Sequence, residues 1–146
     1  MTSIFPSFAF NQKGIRQNKS LPLYKEYAYD FEKNTLKKQN SNTYFVTGNE
    51  AIKIWIFKAL KTKRHKYLAF THSYGCEIDK LVGTVYDQSI LESEAKRYIT
   101  EALMVNPYIK EIKGFSFKRL SEKLEISFVC VTLYGQLQNT TFLEVV

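Results

Sequence analysis

The fold of this chain is constrained most by one amphipathic helix, which the sequence predicts from Thr47 to Arg64. Thr47 and Glu50 have the spacing of a capping box, in which each side chain satisfies a free amide group of the first turn. Apolar side chains then recur at helical spacing and form one stripe: Ile52, Trp55, Ile56, Ala59 and Leu60. Because such a stripe must be buried, we expect the helix to pack on a sheet that the rest of the chain supplies.

A second helix is predicted over residues 88–105, with Asp87 as its N-cap and Pro107 as its stop. Between the two helices, aromatic residues predict a strand over residues 67–71, and a short helical turn is expected over residues 77–82. The second helix has its own apolar stripe, formed by Leu91, Ala95, Tyr98, Ile99, Ala102 and Leu103.

Strands are predicted on both sides of the helices. A meander precedes the first helix, with strands over residues 23–31, 36–39 and 43–46. Three strands follow the second helix, over residues 109–118, 124–134 and 137–145, joined by turns at residues 121–123 and at Gly135-Gln136. Residues 129–133 are nearly all apolar, which predicts that both faces are covered there. The last strand is a candidate sheet edge.

The first 22 residues are expected to form an extended N-terminal arm, followed by a single domain over residues 23–146. Prolines and Gly14 argue against a helix in this arm, whose apolar residues lie around Pro6. Two interpretations stay open: the arm is a frayed terminus, or its apolar residues Ile4, Phe5, Phe8 and Phe10 dock on a neighbouring subunit.

The net charge of +7 comes from 21 basic and 14 acidic residues, and the basic excess lies in the first 83 residues. Scattered lysines are more typical of solubility than of nucleic-acid binding. The basic segment that contains Lys63, Arg64 and Lys66 keeps nucleic acid open as an alternative, although cations at the end of a helix need no ligand. The sequence has no run of eighteen apolar residues, so no membrane span is expected.

Few residues offer catalytic or metal-binding chemistry. Glu77 and Asp79 could form the carboxylate pair of a glycosidase, but carboxylates this close in sequence more often cap or solvate a turn. His65, His72 and Cys76 match no dense zinc pattern and lack a fourth ligand. Phosphate-binding loops and nucleophile elbows are absent from the sequence. We therefore expect a protein that is not an enzyme and that uses no cofactor or metal.

Several short motifs occur in a specific order along nearly the whole chain. They are Phe5-Pro6-Ser7-Phe8, Asn49-Glu50-Ala51-Ile52-Lys53-Ile54-Trp55-Ile56, Ser73-Tyr74-Gly75, Leu81-Val82-Gly83, Glu94-Ala95-Lys96-Arg97-Tyr98, Phe115-Ser116-Phe117, Ile126-Ser127-Phe128 and Val131-Thr132-Leu133-Tyr134-Gly135. In this order they resemble the small tail proteins of PBSX-type prophages and related contractile phages. That group is similar to the baseplate wedge protein of T-even phages that was long labelled lysozyme-like.

The resemblance implies an α+β fold with a small mixed β-sheet and two main helices, similar to the C-terminal domain of the tail sheath protein. It also implies a structural role in the tail baseplate of a virion or virus-like particle, assembled in the bacterial host cytoplasm. Six copies would ring the tail tube, bind other baseplate wedge proteins and template the first sheath ring by strand exchange. Tail tube or hub proteins are further candidate neighbours, and neither nucleic acid nor a membrane is expected as a partner.

The chain departs from the family at one contact. Some members hold the wedge core with a Glu-Pro-Arg triplet, which is absent here, and the basic segment of residues 63–66 occupies roughly that loop. A peptidoglycan hydrolase that uses Glu77 or Asp79 remains the main alternative, and a nucleic-acid-binding protein is a weaker one. The candidate partner-binding residues are Phe5, Phe8, Phe10, Lys63, Arg64, Tyr134, Phe142 and Leu143.

Overall fold

The computed structural model describes residues 20–83 and 86–144. The arm expected over residues 1–22, including Phe5, Phe8 and Phe10, lies outside the described residues except for its last three positions. The last residue of the strand predicted over residues 137–145 also lies outside them, since the description ends at Glu144.

Nine strands, two α-helices and one 3₁₀ turn follow one another along the described chain. The helices are α1 (Gly48–Lys61) and α2 (Gln88–Leu103), with the 3₁₀ turn at Ile78–Leu81 between them. The strands are β1 (Lys25–Tyr27), β2 (Tyr29–Asp30), β3 (Thr35–Leu36), β4 (Lys38–Gln39), β5 (Asn42–Thr43), β6 (Phe45–Thr47), β7 (Ile109–Arg119), β8 (Lys123–Thr132) and β9 (Gly135–Glu144). The predicted α+β class with two main helices is confirmed.

The three long strands form one antiparallel sheet in the order β7-β8-β9. The register of β8 with β9 is continuous, from Lys123 opposite Glu144 to Thr132 opposite Gly135. Along β8 buried residues alternate with half-buried ones, so only one face is fully covered and the expected covering of both faces over residues 129–133 is wrong. Among the described residues β9 pairs with no strand besides β8, as the prediction of a terminal edge strand requires.

The turn between β8 and β9 lies two residues earlier than predicted. Leu133 and Tyr134 make the turn, and Gly135 is already the first residue of β9, at φ +118°. The hydroxyl of Thr132 closes this turn because it donates to the Gly135 carbonyl (3.0 Å) and accepts from the Tyr134 N–H (3.1 Å). The glycine therefore supplies a positive φ just after the turn rather than inside it.

Both helices pack on the buried face of this sheet, with α1 against β9 and α2 against β7. The predicted stripes supply most of the helical part of the core, and Phe128, Ile126 and Leu124 of β8 lie in its centre. The burial of α1 is wider than one stripe, since Ala51 and Ile54 are buried as well.

Thr47 and Asp87 occupy the N-cap positions of α1 and α2, as predicted. Within the described chain neither makes a side-chain capping hydrogen bond, so the predicted capping box of Thr47 and Glu50 is wrong. Thr47 is also the last residue of β6 and pairs with Lys25, and its extended backbone is the usual conformation of an N-cap residue. Gly48 then begins the helix at φ +65°. Helix α1 also ends at Lys61 instead of Arg64 because Thr62 turns extended.

The predicted N-terminal meander is present as three short antiparallel ribbons, β1 with β6, β2 with β3 and β4 with β5. Ala28 links the ribbons, since its N–H donates to Tyr44 and its carbonyl accepts from Lys37 (2.8 Å each). Aromatic rings attach the ribbons to α1: Phe31 lies 4.8 Å and Tyr29 lies 5.5 Å from Phe57, between ring centroids. The ribbon that carries Tyr29 and Phe31 therefore forms one side of the space beside α1.

Candidate partner-binding site

A groove of about 670 Å³ runs between α1 and the outer edge of β9, which we call its free edge because no further strand of the described chain pairs with it. One wall is the exposed side of α1, and the other is the stretch of β9 over residues 138–142. Phe31 and Ile78 contribute from the ribbon and the 3₁₀ turn. The helix wall consists of Lys53, Ile56, Phe57, Leu60 and Lys61. The groove is therefore apolar at its floor and bounded by the outer edge of a strand that pairs, within the described residues, with β8 alone.

The direction of the main-chain groups on β9 follows from the turn between β7 and β8. The N–H of Leu120 donates to the carbonyl of Lys123 (2.8 Å), so Lys123 directs its main-chain groups toward β7. In an antiparallel sheet these directions alternate along each strand. The main-chain N–H and C=O groups of odd-numbered residues of β8 thus point toward β7, and those of even-numbered residues point toward β9.

The register then assigns the free groups of β9. The main-chain groups of Phe128 point toward β9, and Phe128 lies opposite Asn139. The main chain of Asn139 is therefore hydrogen-bonded to β8, and the main-chain groups of its two neighbours point away from β8. The N–H and C=O groups of Gln138, Thr140 and Phe142 are therefore directed to the free edge, beside the groove. An exposed row of this kind is the usual template for pairing with another strand.

Two of the predicted contact residues lie on β9, and their side chains face opposite ways. Phe142 is 57% exposed and lines the groove, so its ring is available to a partner. Leu143 is only 3% exposed and belongs to the core. A partner could reach Leu143 through the strand's backbone but not through its side chain.

Lys63 and Arg64 hold a surface loop together. Two main-chain hydrogen bonds join the ends of this loop. The Cys76 N–H donates to the Thr62 carbonyl (2.9 Å), and the Arg64 N–H donates to the Cys76 carbonyl (3.2 Å). Lys63 Nζ lies 3.3 Å from Asp79, and Arg64 Nη1 lies 3.8 Å from Glu77. The two cations predicted as partner contacts therefore already have internal carboxylate partners.

Gly75 allows this loop to close. Its φ is +103°, and a Cβ there would lie 2.9 Å from the Thr62 carbonyl oxygen and 3.0 Å from the Arg64 backbone nitrogen. Both the dihedral angle and the space thus require glycine.

The strand predicted over residues 67–71 is wrong, because the closed loop gives it no neighbouring strand among the described residues. Its main chain makes turn bonds instead, such as Phe70 N–H to Tyr67 (3.3 Å) and Tyr74 N–H to Thr71 (3.0 Å). The aromatic pattern instead places an apolar tip on the surface, with Leu68 106% exposed and Tyr67 and Phe70 about half exposed. We call residues 67–70 the aromatic loop tip.

Tyr134 connects the N-terminal ribbon to the main sheet. Its hydroxyl accepts a hydrogen bond from the Tyr24 N–H (3.0 Å), and its ring stacks on Tyr108 with centroids 6.3 Å apart. The Tyr108 hydroxyl in turn donates to the Pro22 carbonyl (2.6 Å). Tyr134 is partly exposed, so it combines this internal role with a surface that a partner can reach.

The two carboxylates considered for catalysis are both paired with cations. The Glu77 carboxylate accepts a 2.6 Å hydrogen bond from Lys80, and this bond holds the pKa of Glu77 below its usual range. A glycosidase's general acid needs the opposite shift, toward neutral pH. The arrangement therefore suits a structural ion-pair group.

The remaining reactive side chains form no convergent group within the described residues. Cys76 and Cys130 are free and buried, and burial raises the pKa of the Cys76 thiol to about 11 and that of Cys130 to about 12. Such thiols are protonated at neutral pH and react poorly. Among the described residues no cluster of three histidine, cysteine or acidic side chains could hold a metal ion. Neither described helix has the length and apolarity that crossing a membrane requires.

Fold and surface together define an α+β protein whose most developed site is a sheet edge with an adjoining groove. Residues 25–135 match the family described as contractile injection system sheath initiators, which is most of the chain. The chain belongs to this family and is a structural protein of a contractile tail baseplate. The predicted resemblance to the PBSX-type tail proteins is confirmed.

Two known proteins show the extent of the similarity. The phage-like element PBSX protein XkdS of Bacillus subtilis (strain 168) is 29% identical over 113 residues, which are 77% of each chain. The crystal structure of a protein from Geobacter sulfurreducens described as a tail lysozyme is similar with a TM-score of 0.57. That match covers 66% of this chain and 90% of the other at 18% identity, so it shows the fold alone.

Proposed function

We propose that this protein joins the baseplate wedge to the first ring of the tail sheath and templates sheath assembly by strand exchange. The observation that carries the proposal is the free edge of β9 beside an apolar groove, in a chain of the sheath initiator family. Six copies around the tail tube would present six such edges. Assembly would take place in the host cytoplasm.

Strand addition uses both features of this site. A segment of the sheath protein would pair with the outward main-chain groups of Gln138, Thr140 and Phe142 and extend the sheet. Its inward side chains would enter the groove and contact Phe57 and Leu60, which the helix wall offers. Main-chain bonds supply the affinity in such complexes, and pockets for alternate side chains supply the specificity.

Other surfaces are available for the wedge proteins. The aromatic loop tip exposes Tyr67, Leu68 and Phe70 on a base fixed by Gly75 and by the ion pairs of residues 63 and 64. An apolar projection of this kind suits insertion between elements of a neighbour. Phe5, Phe8 and Phe10 of the arm are a second proposed contact with the wedge, next to the domain proposed for residues 23–146.

The paired carboxylates support a function without catalysis. Both Glu77 and Asp79 are bound to cations, and the pKa of Glu77 is shifted away from that of a general acid. In addition, no buried side-chain nitrogen or oxygen atom in the described residues lacks a hydrogen-bond partner. The buried polar side chains of the described residues are thus engaged within the fold.

The proposal is tested by assembling tails without this chain and then adding the purified protein. We expect baseplates and tubes without sheath, and sheathed tails after the addition, both counted by electron microscopy. Normal sheath in the absence of the chain would contradict a role as sheath template. A cell-wall release assay on the same protein should show no activity above the Glu77→Gln variant.

A further inference from the structure

We propose that the groove selects an acidic strand, with two carboxylates four residues apart and one apolar residue midway between them. This inference rests on the proposed function, since it describes the partner segment that the β9 edge would receive. The partner is another polypeptide, neither the arm of this chain nor a second copy of it. The argument comes from the spacing and the charge of the two walls.

The helix wall carries two lysines at opposite ends of one stripe. Lys53, Phe57 and Lys61 follow one another at intervals of four residues, so they share one face of α1. At 1.5 Å per residue, Lys53 and Lys61 are separated by about 12 Å along the helix axis. Phe57 lies midway between them and also lines the groove.

These lysines differ from the other cation on the same helix surface. Lys58 pairs with Glu26 at 3.4 Å, whereas within the described residues neither Lys53 nor Lys61 has a carboxylate within 4 Å. Their ammonium groups lie instead over aromatic rings, Lys53 at 5.9 Å from Phe31 and Lys61 at 4.4 Å from Phe57. No acidic residue of the described chain lines the groove, so Lys53 and Lys61 are the charged side chains of its lining.

An extended strand matches this spacing. Side chains at i, i+2 and i+4 share one face of a strand, and i and i+4 are separated by about 13 Å. The part of β9 that lines the groove, residues 138–142, has the same length. A strand added there would place two carboxylates near Lys53 and Lys61 and an apolar side chain over Phe57.

The segments that this chain itself could supply have the wrong charge. Residues 1–19 contain Lys13, Arg16 and Lys19 and no acidic residue, so the groove would repel the arm. The last strand of a second copy carries only one acidic residue, Glu144. Charge complementarity therefore favours a different polypeptide with an acidic strand.

The test measures binding of three labelled peptides to the full-length protein by fluorescence anisotropy. The peptides have the sequence Thr-Thr-X-Thr-Phe-Thr-X-Thr-Thr, with X as Glu, Gln or Lys. We expect the Glu peptide to bind about tenfold more tightly than the Lys peptide, with Gln between them, and salt to reduce the difference. The double substitution Lys53→Glu with Lys61→Glu should reverse the order.

A control variant separates the groove from the overall charge. Lys113→Glu with Lys118→Glu changes the net charge equally, but these exposed residues lie on β7, at the opposite edge of the sheet. This variant should keep the preference for the Glu peptide. If it reverses the order as the groove variant does, the preference arises from net charge and the inference is wrong.

The other outcomes are also decisive. Binding that is equal for all three peptides but is lost in Thr140→Pro would overturn the acidic preference and leave strand addition standing. No binding of any peptide would contradict the groove as a strand site as well.

A protein that is dimeric until the Glu peptide dissociates it would show that a second copy occupies the groove. Tighter binding of all peptides after Phe5→Asp and Phe8→Asp would make the arm the occupant; either result overturns the inference.

Discussion

Tails assembled with the Thr140→Pro variant are expected to carry baseplates without sheath. Thr140 directs its N–H to the free edge of β9, so proline removes a donor for an incoming strand without removing a bond to β8. The proline ring also fills the space beside that edge. Since Asn139 is extended, it tolerates a following proline. We expect sheathed tails to fall at least about tenfold, a change that ~1.4 kcal/mol of lost binding produces.

The matched control for this variant is Thr140→Val. Valine keeps the N–H and the approximate shape, and it loses only the contact between the Thr140 and Ser127 hydroxyls, which lie 3.3 Å apart. Sheath should form normally on tails that carry the valine variant, and thermal unfolding should show that both variants are folded. Equal sheath assembly by folded proline and valine variants would contradict strand addition at β9.

The largest expected effect on stability comes from Phe128→Ala. Phe128 is fully buried at the centre of the sheet, where its ring lies 5.5 Å from that of Phe115 between centroids. Both helices pack over this part of the core, so the cavity cannot close by a local shift. We expect the free energy of unfolding, measured in urea, to fall by about 3–5 kcal/mol. That is a large part of the roughly 5–15 kcal/mol typical of a domain.

Phe142→Ala serves as the control, because it removes the same ring from the same sheet at an exposed position. Its free energy of unfolding should change by no more than about 0.5 kcal/mol, while its binding to the groove peptides should weaken. If Phe142→Ala destabilises the protein as much as Phe128→Ala does, then the ring of Phe142 belongs to the core and does not form part of a binding surface.

The elements that local periodicity determines were predicted well. The stripes around Ile56 and Ile99 located both helices, and alternation located the three C-terminal strands within one or two residues. The resemblance of the ordered motifs located the family. In each case the pattern lies within a short segment, because a buried helix stripe or strand face is formed by residues that recur at regular intervals in that segment.

The errors arose where tertiary pairing decides the local structure. Thr47 occupies the predicted N-cap position and also pairs with Lys25, but its side chain makes no capping hydrogen bond. Tyr67 and Phe70 lie in an aromatic segment typical of a strand, but the loop closed by Gly75 leaves them no neighbouring strand in the described chain. Whether a segment pairs as a strand depends on residues elsewhere in the chain, which its own sequence does not indicate.

The candidate site shows the same limit. Phe142 and the edge strand were predicted, but the groove was not, because its walls come from residues about 80 positions apart such as Phe57 and Phe142. Lys63 and Arg64 were expected to contact a partner because their basic segment occupies roughly the loop that holds the wedge core in some family members. The structure pairs them with carboxylates that follow later in the chain, which the charge pattern of the helix end did not indicate.

Amide hydrogen exchange at β9 tests strand addition most directly. In the protein alone, the amides of Leu137, Asn139 and Thr141 should exchange slowly because they bond to β8, and those of Gln138, Thr140 and Phe142 should exchange rapidly. When sheath protein is bound, the second set should become protected while the first set stays slow. Bound sheath that leaves the amides of Gln138, Thr140 and Phe142 exchanging rapidly would contradict the account.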